Sequence, residues 1–164
     1  MSPLSDLRPG PIAFRRAAAG DRPDVEALQR AAFARNRRLL GVEPLPLQAD
    51  YAHIFAMMEV WLAEERGRLR GVLILEPRGD DLLIWSIAAA PDAQGQGLGA
   101  IMLDAAETRA SQLGHGAIRL YTGAPLVTLV AWYKHHGYQV EREEQLSDRR
   151  MTHMVKRFAQ PASA

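Results

Sequence analysis

Cysteine is absent from these 164 residues, which removes disulfides, thiolate metal ligands and a cysteine nucleophile. Lysine is nearly absent too, since Lys134 and Lys156 stand alone among basic residues that are otherwise arginine. Neither sign of charge is in excess. Twenty Lys and Arg face 19 Asp and Glu for a net of +1, so no field draws the chain to nucleic acid or to an acidic membrane. No apolar run approaches membrane-spanning length. The five histidines, His53, His115, His135, His136 and His153, show no metal-ligand spacing such as His-Glu-x-x-His. Residues 1–11 carry Pro3, Pro9 and Gly10 without an apolar core and read as a flexible tail, not a signal peptide. A cytoplasmic protein with no metal, no membrane and no nucleic-acid partner is the expectation.

What remains suffices for one domain over residues 12–160. The hydrophobic fraction is 48%, ordinary for a globular chain, and the length allows a real core. Residues 12–17 predict a strand with Ile12 and Phe14 inward. Asp21 is placed to cap a helix, with Pro23 and Asp24 in its first turn and Val25, Leu28, Ala31, Ala32 and Leu39 on one face. Pro44 and Pro46 make residues 41–50 a loop, and a short helix follows through Tyr51, Ile54, Phe55 and Met58. Residues 60–64 and 69–75 predict a hairpin about Arg66-Gly67-Arg68, and residues 82–89 a further strand. Gly114 or Gly116 ends a later helix, residues 117–122 form a strand, and Pro125 opens a helix that Gly137 closes. Two last strands begin at Tyr138 and Met151, and residues after Gln160 form a loose tail.

Between the strand at 82–89 and the next helix lies Gln94-Gly95-Gln96-Gly97-Leu98-Gly99. Glycines at alternate positions allow a tight bend and leave amide N–H groups uncovered. At a helix start those donors lack internal partners and sit in the positive end of the dipole, an arrangement suited to phosphate. A nucleotide-triphosphate loop would need Gly-Lys-Ser or Gly-Lys-Thr, which is missing. Gly95-x-Gly97-x-x-Ala100 satisfies a dinucleotide pattern, but that fingerprint opens its domain, and here more than half the chain precedes it. A glycine-rich turn without a ligand is the plainest alternative.

In another frame, Gln94-x-x-Gly97-x-Gly99 after a strand that ends two residues before Pro91 resembles the acetyl-CoA-binding signature of the GNAT N-acetyltransferase superfamily. Leu120-Tyr121-Thr122 and Trp132-Tyr133-Lys134-His135-His136-Gly137-Tyr138 extend the resemblance, and Gly71-Val72-Leu73 adds its weakest segment. It implies an α/β (α+β) fold with a mixed, mostly antiparallel sheet of about seven strands and about four flanking helices. The cofactor it implies is acetyl-CoA. The amides of Gln94, Gly95, Gln96, Gly97, Leu98, Gly99 and Ala100 would hold the pyrophosphate, and the pantetheine arm would pair along the strand at Ala89. The Ile87 amide would face the thioester carbonyl as an oxyanion donor. Tyr133 matches the family's proton donor to the departing thiolate; its plain alternative is the aromatic end of an amphipathic helix.

Glu43, Tyr51, His53 and Glu59 fall where the family's acceptor side is built and are the candidate substrate contacts. Two departures stand out. Gly123 and Leu129 occupy positions where related sequences carry asparagine, and the strand before the glycine turn offers Leu83, Trp85 and Ser86 where a basic carboxylate is common. The base is not identifiable, the acyl group is acetyl or longer, and the acceptor is a small-molecule primary amine of unspecified identity. A homodimer is left open. A non-catalytic acyl-CoA-binding module and a nicotinamide-dependent oxidoreductase are the competing readings.

Overall fold

A computed structural model describes Leu4 and residues 11–159. Of the expected tails, residues 1–3, 5–10 and those after Gln160 lie outside the described residues. Leu4 itself is 1% exposed and belongs to the apolar core. Among the described residues the chain forms β1 (Ile12–Arg16), α1 (Arg22–Leu40), α2 (Leu45–Gln48), α3 (Tyr51–Met57), β2 (Glu59–Glu65), β3 (Arg68–Pro77) and β4 (Asp81–Ala89). There follow α4 (Leu98–Gln112), β5 (Ala117–Gly123), α5 (Val127–His135), β6 (Gln139–Gln145) and β7 (Arg150–Arg157).

The strands make one sheet in the order β1-β2-β3-β4-β5-β7-β6, antiparallel except where β4 and β5 run side by side in the same direction. Short turns join β2 to β3 and β3 to β4, α1 to α3 lie between β1 and β2, and the parallel pair β4 and β5 needs a crossover, which α4 supplies. The glycine turn therefore follows the fourth strand of an antiparallel run, which removes the dinucleotide-fold reading of Gly95-x-Gly97-x-x-Ala100.

Both faces of the central strands are covered, so their sequences read as nearly continuous apolar runs. On one face Val60, Leu62, Val72, Ile74 and Ala88 meet Val25 and Leu28 of α1 and Tyr51 and Ile54 of α3. On the other, Trp61, Leu73, Leu75, Leu82 and Ile84 meet Met102, Leu103 and Ala106 of α4 and Tyr133 of α5. Each fully buried Leu or Ile contributes about 1.5–3 kcal/mol. Gly71 lets α4 come close: a Cβ there would stand 2.8 Å from Met102 Sδ and 3.2 Å from the Ala88 carbonyl oxygen.

Three local expectations change. The stretch 41–50 is not all loop, because Leu45–Gln48 makes one helical turn with Pro46 inside its first positions, where proline's missing N–H costs nothing. That turn brings the α-helices to five. Asp21 does precede α1 but caps no N–H there. Its carboxylate accepts from Arg15 at 2.9 and 2.9 Å and from the Ala18 N–H at 2.8 Å, which holds its pKa at about 2.

Candidate active site

The site begins with a fault in the sheet. Ser86 pairs with Ile74 and Ile84 with Leu75, so Trp85 is an extra residue on β4. Such a bulge bends and over-twists its strand. Pairing between β4 and β5 stops at the same level, with Ile84 opposite Leu120 as its last match. Residues 85–89 and 121–123 then run on without pairing to each other and leave a gap through the sheet.

The backbone of β4 faces that gap in a defined way. The Ala90 N–H donates to the Arg70 carbonyl at 2.8 Å. Strand alternation then turns the N–H groups of Ala88 and Ser86 toward β3 and those of Ile87 and Ala89 into the gap. The Ala89 carbonyl accepts from Gln94 Nε2 at 3.2 Å, which ties the glycine turn to the edge of the gap.

The turn itself is a cradle of donors. Gly97 precedes α4 with φ +83°, a left-handed conformation that suits glycine. The first helical bond runs from the Ile101 N–H to the Gly97 carbonyl at 3.2 Å, so no helical carbonyl takes the N–H groups of Leu98, Gly99 and Ala100. A Cβ at Gly95 or Gly97 would meet nothing within 4 Å, so the space before these amides is open. No charged side chain lies between Gln94 and Ala100. The turn is braced from behind by Asp92, which accepts from Arg68 at 3.0 Å and Arg70 at 3.1 Å. The Arg70 guanidinium beside it holds the Asp92 carboxyl below its usual range. An anionic group of pyrophosphate size fits such a site by dipole and free N–H groups alone.

Helix α5 closes the site on the α4 face. Trp132 packs over the first turn of α4, 3.6 Å from where a Gly99 Cβ would stand. The helix end is fixed by Lys156, whose Nζ donates to Glu107 at 2.6 Å and to the His136 carbonyl at 3.1 Å. Tyr133 between them is buried, edge-on to Tyr138 at 5.7 Å. Burial alone pushes its phenol pKa up, and among the described residues its hydroxyl has no hydrogen-bond partner.

On the opposite face the gap opens into a cavity of about 80 Å³. Phe33, Asn36 and Leu40 of α1 line it, as do Pro44, Leu45 and Pro46 of the strap between α1 and α3. The sheet contributes Trp85, Tyr121 and Gly123, and Leu126, Leu129, Arg149 and Met151 complete the wall. The expected substrate contacts are placed differently from one another. Tyr51 is buried and donates to the Pro46 carbonyl at 2.8 Å, supporting the strap, with its pKa pushed up by burial to about 12. Glu43 lies in the strap, but Arg37 holds its carboxylate at 2.8 and 2.8 Å while its carbonyl accepts from Arg149 and Gln48. His53 is exposed on α3. Glu59 is 8% exposed, bound to Arg109 and Trp61. None of the four lines the cavity.

Residues that no motif marked do line it, Leu40 and Arg149 among them. One signal was available: glycine at 123, where a Cβ would collide with the Leu40 side chain. A second unforeseen feature is the buried pair behind the gap, Gln29 Nε2 donating to Ser86 Oγ at 3.0 Å.

The model of the Acetyltransferase (GNAT) family matches residues 25–138. The ribosomal-protein-S18-alanine N-acetyltransferase of Escherichia coli superposes with a TM-score of 0.76 at 16% identity, covering 92% of this chain and 96% of that one. The PaiA N-acetyltransferase of Thermoplasma acidophilum, solved with coenzyme A, gives 0.74 at 15% identity over 90% and 99%. A GNAT family acetyltransferase from Elizabethkingia anophelis with acetyl-CoA bound gives 0.70 at 17% identity, again over 90% and 99%. No curated protein sequence matches the chain.

Proposed function

Because the chain belongs to the GNAT family of acetyltransferases, matched over residues 25–138 of its 164, we propose that it is an acetyl-CoA-dependent N-acetyltransferase acting on a primary amine of a small molecule. The observation that carries this reading is the gap between β4 and β5, with the Ile87 and Ala89 N–H groups turned into it and the free amides of the α4 start at its mouth. A donor cradle on one face and a cavity on the other let two substrates meet through the sheet. The proposed setting of the reaction is the cytoplasm. Among the described residues no helix is long and apolar enough to cross a membrane.

Acetyl-CoA supplies an activated acetyl group as a thioester. The amides from Gly95 to Ala100 hold its pyrophosphate, with the helix dipole adding attraction, whereas the Gln94 N–H, expected among them, already donates to the Pro91 carbonyl at 3.4 Å. Ala89 offers its N–H to the arm in the gap, as a strand edge accepts an added strand. The Ile87 N–H hydrogen-bonds the carbonyl oxygen and strengthens its hold as negative charge gathers there. The neutral amine nitrogen forms the new C–N bond and the C–S bond breaks. Sulfur leaves as thiolate and takes a proton from the Tyr133 hydroxyl, which is restored by the proton the amine sheds. With cysteine absent, the usual covalent acyl carrier is missing and transfer is direct within a ternary complex.

The test is thermal. At a hundred times Kd a ligand adds about 2.7 kcal/mol to stability, which for a chain of this size is a rise in Tm of about 5–10 °C. Coenzyme A is expected to give that rise and NAD none. Equal protection by NAD would overturn the reading. Protection by coenzyme A with no thioester consumed for any amine would favour a binding module.

A further inference from the structure

We propose that the acceptor is a monoamine with an uncharged apolar body, an arylalkyl or branched alkyl amine, and that polyamines are excluded. This rests on the acetyl-transfer reading of the same site. Among the described residues, the apolar walls of the acceptor cavity include Phe33, Leu40 and Trp85, its polar side chains Asn36, Tyr121 and Thr122 carry no charge, and no Asp or Glu lines it. The one charged lining group among the described residues is Arg149, whose side chain is 6% exposed. That guanidinium is already answered: Nε and Nη2 donate to Asp148 at 3.0 and 2.8 Å, and Nη1 to the Glu43 carbonyl at 2.8 Å. The Glu43 carboxylate is committed to Arg37. A second ammonium on the acceptor would therefore be stripped of water in an apolar space, beside a cation, with no counterion. An apolar body gains from the same walls.

The missing carboxylate on β4 has the same explanation. Burial disfavours the charged form of an amine and lowers its pKa. An ammonium entering the cavity releases its proton to water and presents a neutral nitrogen, so the pocket itself does what a base would do. The depth of the pocket is set by Leu40 lying over Gly123, where a Cβ would collide with it. Position 123 thus governs the size of the body that fits.

The experiment reads binding and turnover separately. Melting temperature is recorded with 2-phenylethylamine, putrescine, spermidine and a tetrapeptide with a free N-terminus, with and without coenzyme A. Phenylethylamine alone is expected to protect, and its kcat/KM with acetyl-CoA is expected to exceed that of putrescine by about a hundredfold, the scale of an unpaired buried charge. Leu40→Asp places a carboxylate in the wall and is expected to narrow or reverse that ratio. Gly123→Ala is expected to raise KM for phenylethylamine while leaving KM for acetyl-CoA unchanged. Protection or turnover by spermidine, putrescine or the peptide equal to that by phenylethylamine overturns the inference, as does a ratio that Leu40→Asp leaves unmoved. Those results with coenzyme A still bound and thioester consumed leave acetyl transfer standing. Loss of coenzyme A binding removes acetyl transfer, and the amine-only melts then decide the inference by themselves.

Discussion

Replacing Glu59 with Gln separates a structural carboxylate from a catalytic one. Arg109 Nε and Nη2 each donate to the Glu59 carboxylate at 2.9 Å, and Trp61 Nε1 adds a third bond at 3.0 Å. The two side chains are only 10% and 14% exposed, so water screens the pair little. Burial pushes the Glu59 pKa up, but the bonds from Arg109 and Trp61 outweigh it and the net position is below the ordinary value. Gln keeps the shape and one acceptor oxygen yet leaves the guanidinium buried without its counter-charge. Breaking a buried pair from one side costs about 3–5 kcal/mol, and the retained acceptor argues for the lower end. At about 2–4 °C per kcal/mol for a chain of this size, Tm falls by about 6–12 °C.

The pH dependence has a definite sign. A carboxyl whose folded pKa lies below its unfolded value of about 4.3 adds stability above that value and loses it as pH falls through the folded pKa. The gap between wild type and Glu59→Gln should therefore be full at neutral pH and close in acid below about pH 4. Calorimetric melts across pH, with turnover measured well below either Tm, decide the matter. An unchanged Tm with turnover lost would refute the reasoning and make Glu59 a base.

Gly97→Glu tests the cradle. The space there is open, so the left-handed φ costs about 1–2 kcal/mol and the fold survives, while the new charge faces the anion. Calorimetric titration should show coenzyme A affinity reduced roughly tenfold or more, and an unchanged affinity would place the phosphate elsewhere. Gln29→Leu leaves the Ser86 hydroxyl buried without its partner and should cost about 1–3 kcal/mol in chemical denaturation. Pairing it with Ser86→Ala should restore most of that, and no restoration would mean that Gln29 acts through Tyr51 or the backbone.

The sheet was legible in the sequence because short apolar runs bounded by turn residues mark strands, and the helix after Gly97 because its capping glycine and apolar spacing agree. In sequence the strap reads as loop because Pro44 and Pro46 look like breakers, whereas proline in a first helical turn breaks nothing. The glycine turn and the Trp132-Tyr133 segment were each visible as a contiguous run of sequence. The cavity was not, because Phe33 and Leu40 of α1, Trp85 of β4, and Arg149 and Met151 at the start of β7 come from three distant segments that meet only in the fold. Glu59 looked like an acceptor contact for the same reason: its partner Arg109 lies 50 residues away on α4. Even the gap depends on one residue too many at Trp85, which a strand pattern does not reveal.

Tyr133→Phe tests the central claim most directly, because its two readouts move in opposite directions. The hydroxyl is buried and has no partner among the described residues, a state that disfavours the free fold by about 1 kcal/mol or more. Removing it should leave Tm unchanged or raise it by a few degrees, with coenzyme A still bound. Single-turnover acetyl transfer should slow by about a hundred- to ten-thousand-fold, the range for one general acid. A Phe variant that transfers acetyl at the wild-type single-turnover rate would show that Tyr133 only packs the helix, and would contradict the account.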